Sequence, residues 1–321
     1  MSMPHEYADS PPDIAPNEAV MGMAEPLLDA RPNPPESAGD GSRHVNRSTL
    51  ILPEHEVGEW SPAMRYLAEH DEISHVLLSG SDSLDLPGVR LREVLERLAA
   101  VEHVRMIRLY SGLPARQPER IAENRELLGI LSEHSASDRS LYVMMRFRRP
   151  EEVSEKALEA FRALSEAGAS LVAEVPIVAG TNDDPDALAE LFDRLTRASV
   201  IPYQFIIDRP APGGEEGAEL PLERVYRLAE AVKSRISGPA RRARLTMMHS
   251  AGYFEILAVE NGKAYVKGHL SASDDNGRFM IVDCPPDAAR FDDRAVPKPA
   301  ERSGKFPSDA TYLKVPYEIP D

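Results

Sequence analysis

Charged and polar side chains stand inside or directly after the apolar runs of this sequence, where they could do chemistry. An unpaired charge on a buried strand costs several kcal/mol, so each must pair with a neighbour or with a ligand. Six of them are the candidate ligand-binding residues: Asp82, Tyr110, Arg146, Glu174, Asp208 and His249. Two interpretations stay open, namely a structural ion-pair network that fills a barrel mouth and a small-molecule pocket. No catalytic residue is assigned.

Further polar residues occupy equivalent positions: Ser79, Ser81, Arg108, Ser111, Arg148, Arg149, Gln204 and Arg209. In a parallel α/β barrel the ligand site forms where the carboxyl ends of the strands meet, so all of these side chains are expected to converge there. Such a set could support acid–base or metal-assisted chemistry on a small molecule.

The metal-binding residue types give a weaker signal. The nine histidines are scattered, and none forms a helical i, i+4 pair with an evident third ligand, so no metal site is predicted. Four of the histidines are interpreted as surface residues: His70, His75, His103 and His134. Cys284 is the single cysteine, which excludes an internal disulfide framework and any metal site built mainly from this chain's thiolates.

Seven short apolar runs are typical of buried strands: STLILP, SHVLLSG, VRMIRLYS, LYVMMRF, SLVAEVPIV, IPYQFIID and ARLTMMH. Amphipathic segments with helical spacing lie between them: SPAMRYLAEH, VRLREVLERLAA, PERIAENRELLGILSEH, SEKALEAFRALSEAG, DPDALAELFDRLTRA and LPLERVYRLAEAVKSR. Ser154 and Gly168 bound one of these segments as an N-cap and a helix-ending glycine. Strands that alternate with helices predict a parallel sheet, here a partial (β/α) barrel.

The composition divides the chain into four parts. Residues 1–45 are rich in Pro, Asp, Glu, Gly and Ser and are predicted to form a disordered arm. The barrel is assigned to residues 46–250. Turn signals at Asn261-Gly262 and Asp275-Asn276-Gly277 predict a β-hairpin appendage over residues 251–285. Residues 286–321 are interpreted as an extended tail.

The charge balance limits the partners. With 37 basic and 53 acidic residues the formal net charge is −16, which disfavours nucleic acid and anionic membranes as partners. No apolar run approaches the roughly 18 residues of a membrane span, and the first residues lack a signal-peptide pattern. The cytoplasm is therefore the expected location.

A succession of short motifs runs from about residue 65 to residue 270. SGSD at Ser79–Asp82 is followed by VRMIRLYSGLPARQPERI, RFRRP, a helix ending in SEAG, GTNDD and IPYQFIIDRPAPG. In this order they resemble the lysine 2,3-aminomutases of the radical-SAM superfamily, whose patterns include SGGD, EIIRIGTRLP…PQRI, THFNHP, LADAG, GVND and YYLYQCDLVPG. The resemblance implies a partial parallel barrel of radical-SAM type, with S-adenosylmethionine, a [4Fe–4S] cluster and pyridoxal phosphate, and a 1,2-amino shift on lysine or a related amino acid.

The residues that would hold those cofactors depart from the family pattern. Residues 43–49 stand where the family has three cysteines, and 249–255 stand where it has a glycine-rich run ending in the Schiff-base lysine. No cofactor is therefore predicted, and the three family cofactors are expected to be lost. Among the pocket positions, Asp208 matches an aspartate directed at the substrate amino group and Asp82 keeps the loop acid. Arg146 and Glu174 replace a histidine and a glutamine.

Three functions follow from these departures. The first is a non-catalytic subunit or small-molecule-binding scaffold of an amino-acid-modifying system, a pseudoenzyme that forms a homo-oligomer or pairs with an active homologue. The alternative is a repurposed non-radical enzyme that acts on an amino acid or related small molecule through the charged site. A true aminomutase is the least expected. Related proteins associate through their C-terminal regions, which makes the appendage around 253–283 the candidate association surface.

Overall fold

The computed structural model describes residues 43–46, 48–58, 61–80, 82–135, 139–207, 219–249, 252–270 and 279–291. Their strands are β1 (Arg43–Asn46), β2 (Thr49–Pro53), β3 (His75–Ser79), β4 (Met106–Ser111), β5 (Ser140–Arg146), β6 (Ser170–Pro176), β7 (Ile201–Ile207), β8 (Arg244–His249), β9 (Gly252–Glu260), β10 (Lys263–Leu270) and β11 (Phe279–Asp283). Their helices are α1 (Pro62–Glu69), α2 (Gly88–Ala99), α3 (Leu113–Arg116), α4 (Glu119–Ala122), α5 (Arg125–His134), α6 (Glu155–Glu166), α7 (Pro185–Arg197) and α8 (Leu222–Arg235).

The strands form one sheet in sequence order. β2 to β8 are parallel neighbours, whereas β1 is antiparallel to β2 and β9 to β11 continue the sheet as antiparallel strands. The sheet curls, because residues of β2 and β8 line one cavity although five strands lie between them. It remains open, so the predicted partial parallel barrel with an antiparallel C-terminal appendage is confirmed.

Helix α6 shows how the sequence sets the outer layer. The Ser154 hydroxyl accepts a hydrogen bond from the Ala157 amide, which satisfies a free N–H of the first turn. Four residues at helical spacing are buried against the sheet: Ala157, Ala160, Phe161 and Leu164. At the far end Gly168 has φ +88°, and the Ala169 amide donates to the Leu164 carbonyl at 3.0 Å. This is a Schellman closure, which favours glycine at that position.

Replacing Gly168 by alanine is expected to lower the free energy of unfolding by about 1–3 kcal/mol. The new Cβ would sit in a left-handed conformation and 2.6 Å from the Cβ of Ser135. Gly129→Ala is the matched control, because Gly129 lies within α5 with open space around it, and there alanine should stabilise the helix by about 0.5–1 kcal/mol. Urea denaturation of both variants measures the difference. Equal changes of the unfolding free energy in the two variants would contradict the Schellman closure at Gly168.

Two segments differ from the sequence prediction. The amphipathic run over 118–134 forms α4 and α5 rather than one helix, because the Asn124 side chain accepts from the Leu127 amide and starts a new helix. β1 begins at Arg43, within the last residues that were assigned to the arm. The rest of the arm and the tail beyond Phe291 lie outside the described residues. In the ranges that are described, no helix combines the length and apolar character needed to cross a membrane.

Candidate functional site

The concave side of the curled sheet encloses a cavity of about 570 Å³, here called the lumen. Each of the parallel strands β2 to β8 contributes lining residues, and Tyr253 of β9 adds one more. The polar part of the wall includes His75, Arg108, Tyr142, Glu174, Gln204 and Arg244. Its apolar part includes Ile51, Leu77, Met106, Met144 and Val172. A cavity of this size suits a small organic molecule.

The lumen lies towards the amino ends of the strands. His75 and Met106 are first residues of β3 and β4, and Arg244 is the first residue of β8. The expectation that the candidate residues converge at the carboxyl ends therefore does not describe this cavity. Alternate residues of a strand point to opposite faces, so side chains in mid-strand reach the lumen without following the strand end.

A buried charged network crosses three neighbouring strands beside the lumen. Nε and one terminal nitrogen of Arg146 donate to Oε1 of Glu174 at 3.2 and 2.8 Å, and the Gln204 amide donates to Oε2 at 2.9 Å. Arg146 is 9% exposed and Glu174 is 2% exposed. The Arg146 guanidinium also lies 5.8 Å from the centroid of the Tyr110 ring, within range of a cation–π contact.

Strand register explains why these side chains meet. Arg146 pairs with Glu174 across β5 and β6, and Glu174 pairs with Gln204 across β6 and β7. The register shifts after the Ala173–Pro202 pair, so that β7 has one extra residue, Tyr203, between Pro202 and Gln204. This bulge brings Gln204 to the lumen side beside Glu174. The structural ion pair that the sequence suggested is thus present between Arg146 and Glu174. The Glu174 carboxylate also lines the cavity, which is the feature that the small-molecule interpretation requires.

Asp82 is placed differently from these residues. Its Oδ2 accepts from the amides of Gly112 and Leu113 at 2.9 and 3.1 Å and from Arg116 at 3.1 Å. Its Oδ1 accepts from the Leu84 amide, and the residue is 6% exposed. The carboxylate therefore ties the segment after β3 to the start of α3. It does not line the lumen.

Asp82→Ala is expected to cost about 2–4 kcal/mol of unfolding free energy, because buried amide donors lose their acceptor. Asp85→Ala is the matched control. Asp85 forms its ion pair with Arg120 near the surface, so its loss should cost less than about 1 kcal/mol. Guanidinium denaturation followed by circular dichroism compares the two, and similar costs would show that Asp82 does not brace this segment.

Asp208 and His249 are the remaining two candidates. Asp208 lies outside the described residues, as do Ser81 and Arg209. His249 closes β8, but its side chain is likewise outside them. Their assignment as ligand-binding residues stays a prediction. Within the described ranges no three His, Cys, Asp or Glu side chains come together as a metal site would require.

His75 was interpreted as a surface residue, and that interpretation is wrong. Its imidazole is partly buried and lines the lumen beside Arg108. Burial lowers the pKa of His75 below its ordinary value of 6.5, and the positive charge of Arg108 lowers the pKa further. The alternation of β3, in which Val76 and Leu78 are buried and His75 and Leu77 face the lumen, is the signal that could have placed it.

The lowered pKa makes stability depend on pH. The unfolded chain takes up a proton at His75 as pH falls through 6.5, whereas the folded chain does not until a lower pH. The free energy of unfolding should therefore decrease as pH falls below 6.5, and His75→Gln should remove part of that decrease. Arg108, Arg244 and Glu174 are the charged groups that share the lumen with His75. Denaturation at a series of pH values measures the effect, with His134→Gln on α5 as the control. Identical pH profiles for wild type and His75→Gln would contradict the placement.

A parallel sheet curled around a charged lumen, with helices between successive strands, defines a partial (β/α)-barrel protein with a small-molecule cavity. The chain belongs to the lysine 2,3-aminomutase family. It is 34% identical over 235 residues to an Aquifex aeolicus protein named "Putative L-lysine 2,3-aminomutase". The aligned region covers 73% of this chain and 63% of that protein. It is also 29% identical to the L-lysine 2,3-aminomutase of Fusobacterium nucleatum over 178 residues, and 28% identical to that of Escherichia coli over 144 residues.

The shared region does not extend over the whole of these relatives. The chain spans 63% of the Aquifex protein, 40% of the Fusobacterium protein and 41% of the Escherichia coli protein, so it matches less than two thirds of each. The aligned region covers 56% of this chain in the Fusobacterium comparison and 45% in the Escherichia coli comparison. No family model matches the chain.

The comparisons correct the expectation that this chain takes none of the family's cofactors. Its relatives are named as L-lysine 2,3-aminomutases, and the resemblance to that family implies S-adenosylmethionine, a [4Fe–4S] cluster and pyridoxal phosphate, so loss of these groups from this chain does not follow from its divergence.

The described residues do not supply the ligands that the cluster and pyridoxal phosphate need. A cluster held by three thiolates requires three cysteines, and the chain has only Cys284, which is 2% exposed beside the β9–β10 turn. A Schiff base requires a lysine in the cavity, and the lumen residues include none. Lys263 lies on the appendage and pairs with Asp283 at 2.5 Å. The donor set of the described residues therefore fits neither the cluster nor the Schiff base.

Proposed function

We propose that this protein binds a small amino-acid-like molecule in its lumen, as a non-catalytic subunit or ligand-binding scaffold of an amino-acid-modifying system. The observation that carries the proposal is the Arg146–Glu174–Gln204 network, whose carboxylate borders a cavity of about 570 Å³. Buried polar groups that are held rigidly beside an apolar wall are typical of small-molecule sites. The names of the relatives add that members of this family act on L-lysine.

The composition of the wall suits an amino acid with an aliphatic side chain. Leu77, Met106, Met144 and Val172 offer an apolar surface to such a chain. Arg108 and Glu174 place charges of both signs on the same cavity, as recognition of a zwitterion requires.

The contacts of Glu174 favour binding over acid–base catalysis. Both of its oxygens already accept hydrogen bonds from protein side chains, and one of these donors is a buried guanidinium. A general base needs an oxygen that can reach the proton of the substrate. Glu174 is therefore better placed to orient Arg146 and Gln204 than to exchange protons, which leaves the repurposed-enzyme alternative with less support.

The experiment is isothermal titration calorimetry of the purified protein with L-lysine, L-ornithine, L-leucine, β-alanine and the decarboxylated analogue cadaverine. We expect at least one amino acid to bind with a dissociation constant in the range from about 1 μM to 1 mM. Cadaverine should bind more weakly than L-lysine if the carboxylate is recognised.

Two variants test whether the ligand binds in the lumen. Leu77→Trp fills the cavity and should weaken binding by about tenfold or more, since an indole replaces the space for the ligand. Val89→Trp is the matched control, because Val89 is 81% exposed on α2 and the new ring remains outside the barrel. Binding that survives in Leu77→Trp, or absence of binding by every compound in the wild type, would contradict the proposal.

Location and association complete the proposal. We place the protein in the cytoplasm, together with the amino acids that it would bind. For association we propose a homo-oligomer or a complex with an active homologue through the appendage. Three exposed apolar side chains on the appendage support this: Leu257 on β9 and Phe279 and Ile281 on the edge strand β11. Analytical ultracentrifugation that found only monomers, alone and with a homologue, would contradict it.

A further inference from the structure

The amino-terminal half of the lumen carries positive charge that no described carboxylate neutralises. Arg146 is paired with Glu174, but neither Arg108 nor Arg244 forms an ion pair with any described residue, and both line the cavity. Nε of Arg108 is buried and lacks a hydrogen-bond partner within the described part of the chain. A buried donor without an acceptor costs free energy comparable to a lost hydrogen bond, so the site favours an incoming acceptor.

The register of the sheet places other polar groups around this guanidinium. Arg108 pairs with Leu77 of β3 on one side and with Tyr142 of β5 on the other. His75 precedes Leu77 by two residues and so faces the same side of β3. All three polar side chains, His75, Arg108 and Tyr142, line the lumen. They supply an imidazole, a guanidinium and a phenol hydroxyl within one short stretch of the wall.

We infer that Arg108, together with His75 and Tyr142, forms a subsite for the carboxylate of a small anionic ligand, and that Arg244 adds positive charge to the same cavity. The inference rests on the proposed function, because this subsite would hold the acidic end of the amino-acid-like molecule. A guanidinium presents parallel N–H donors that match the two oxygens of a carboxylate, and the phenol hydroxyl can donate to the same group.

The net charge of the chain and the size of the cavity together favour a small anion over a polyanion. The chain carries a formal charge of −16, so its outer surface repels polyanions such as nucleic acid. The positive groups instead line a cavity of about 570 Å³, a size that suits a small molecule. Positive side chains that line one cleft with apolar walls raise the local concentration of small anions, so Arg108 and Arg244 should attract such an anion into the cavity.

The test follows the His75 resonances by NMR in protein labelled with ¹³C-histidine, during titration with sodium acetate. Sodium chloride at the same ionic strength is the parallel titration. Bound acetate should offset the charge of Arg108 and raise the pKa of His75 saturably, whereas chloride should have a smaller effect. Equal responses to acetate and chloride would overturn the inference, since the guanidinium would then respond only to ionic strength.

Two arginine variants assign the response. Arg108→Gln should weaken acetate binding by about tenfold or more. Arg224→Gln should leave it unchanged, because Arg224 pairs with Asp183 and its side chain is 60% exposed. Arg108→Gln should also fold with unchanged or higher stability in the absence of anions, since no described side chain loses a partner. A wild-type acetate response in Arg108→Gln, or failure of that variant to fold, would overturn the inference.

The two proposals fail in different ways. If acetate shifts His75 through Arg108 but no amino acid binds in calorimetry, the subsite stands and its ligand is another small carboxylate, so the amino-acid proposal falls. If L-lysine or another amino acid binds wild type and Arg108→Gln equally, the proposed function stands and the subsite falls.

Discussion

Replacing Glu174 by leucine is expected to lower the free energy of unfolding by about 3–5 kcal/mol. The change removes the carboxylate that accepts two hydrogen bonds from Arg146 and one from Gln204, while Arg146 stays 9% exposed inside the barrel. A buried guanidinium that loses its counter-charge costs more than the pair itself contributes, because its desolvation is no longer compensated. Urea denaturation measures the loss.

Two further variants separate charge from packing at this position. Glu174→Gln keeps the shape and one acceptor oxygen, so it should cost less than Glu174→Leu. The double variant Arg146→Met/Glu174→Leu removes both charges and should recover much of the stability, since apolar replacements of a buried pair are often neutral. A double variant as unstable as Glu174→Leu would show that the loss comes from packing rather than from the unpaired charge.

Replacing Phe205 by alanine is expected to lower the free energy of unfolding by about 3–5 kcal/mol. Phe205 lies on the outer face of β7, is 0% exposed, and stacks on Phe192 of α7 with ring centroids 4.4 Å apart and planes at 18°. Deleting the ring leaves a cavity between the sheet and α7 that the surrounding backbone can close only in part.

Ile201→Ala is the control for this prediction on the same strand. Ile201 is 52% exposed at the lumen entrance, so its truncation should cost less than about 1 kcal/mol. Thermal unfolding by calorimetry compares the two variants. Equal losses would mean that the barrel wall at β7 is not packed against α7 as described.

The arrangement of strands and helices could be predicted from hydrophobic pattern alone. Runs such as HVLLS and MIRLYS match β3 and β4, and the buried residues of α6 and α7 recur at helical spacing. The split between α4 and α5 could not, because its amphipathic pattern continues through Asn124. The side chain of Asn124 caps the start of α5 and so separates the two helices. Asparagine also occurs inside helices, so the sequence alone does not show that it acts as a cap here.

The site was harder to predict than the fold. Arg146 and Glu174 were found because charges in an apolar run are conspicuous, but the contact between Glu174 and Gln204 depends on a bulge at Tyr203 that no residue pattern marks. The position of His75 in the lumen was not predicted, because a histidine at the start of a strand looks the same in sequence whether it faces solvent or a lumen. Curvature of the sheet, a property of the whole barrel, decides between the two.

The family was also predicted from the order of the motifs, and the comparisons confirm it. The expectation about cofactors went too far, because it turned missing motif residues into a statement about what the protein binds. Lining residues and their charges support a narrower conclusion, which concerns the chemistry of the lumen itself.

Methionine methyl groups give the most direct test of ligand binding in the lumen. Met106 and Met144 line the cavity, whereas Met64 on α1 and Met280 on β11 lie outside its lining. In protein labelled with ¹³C-methyl methionine, titration with L-lysine and the other amino acids of the calorimetric panel should shift the Met106 and Met144 signals and leave those of Met64 and Met280 in place. Leu77→Trp should abolish the shifts. Signals that move at Met64 or Met280 alone, or that do not move with any compound, would contradict a ligand site in the lumen.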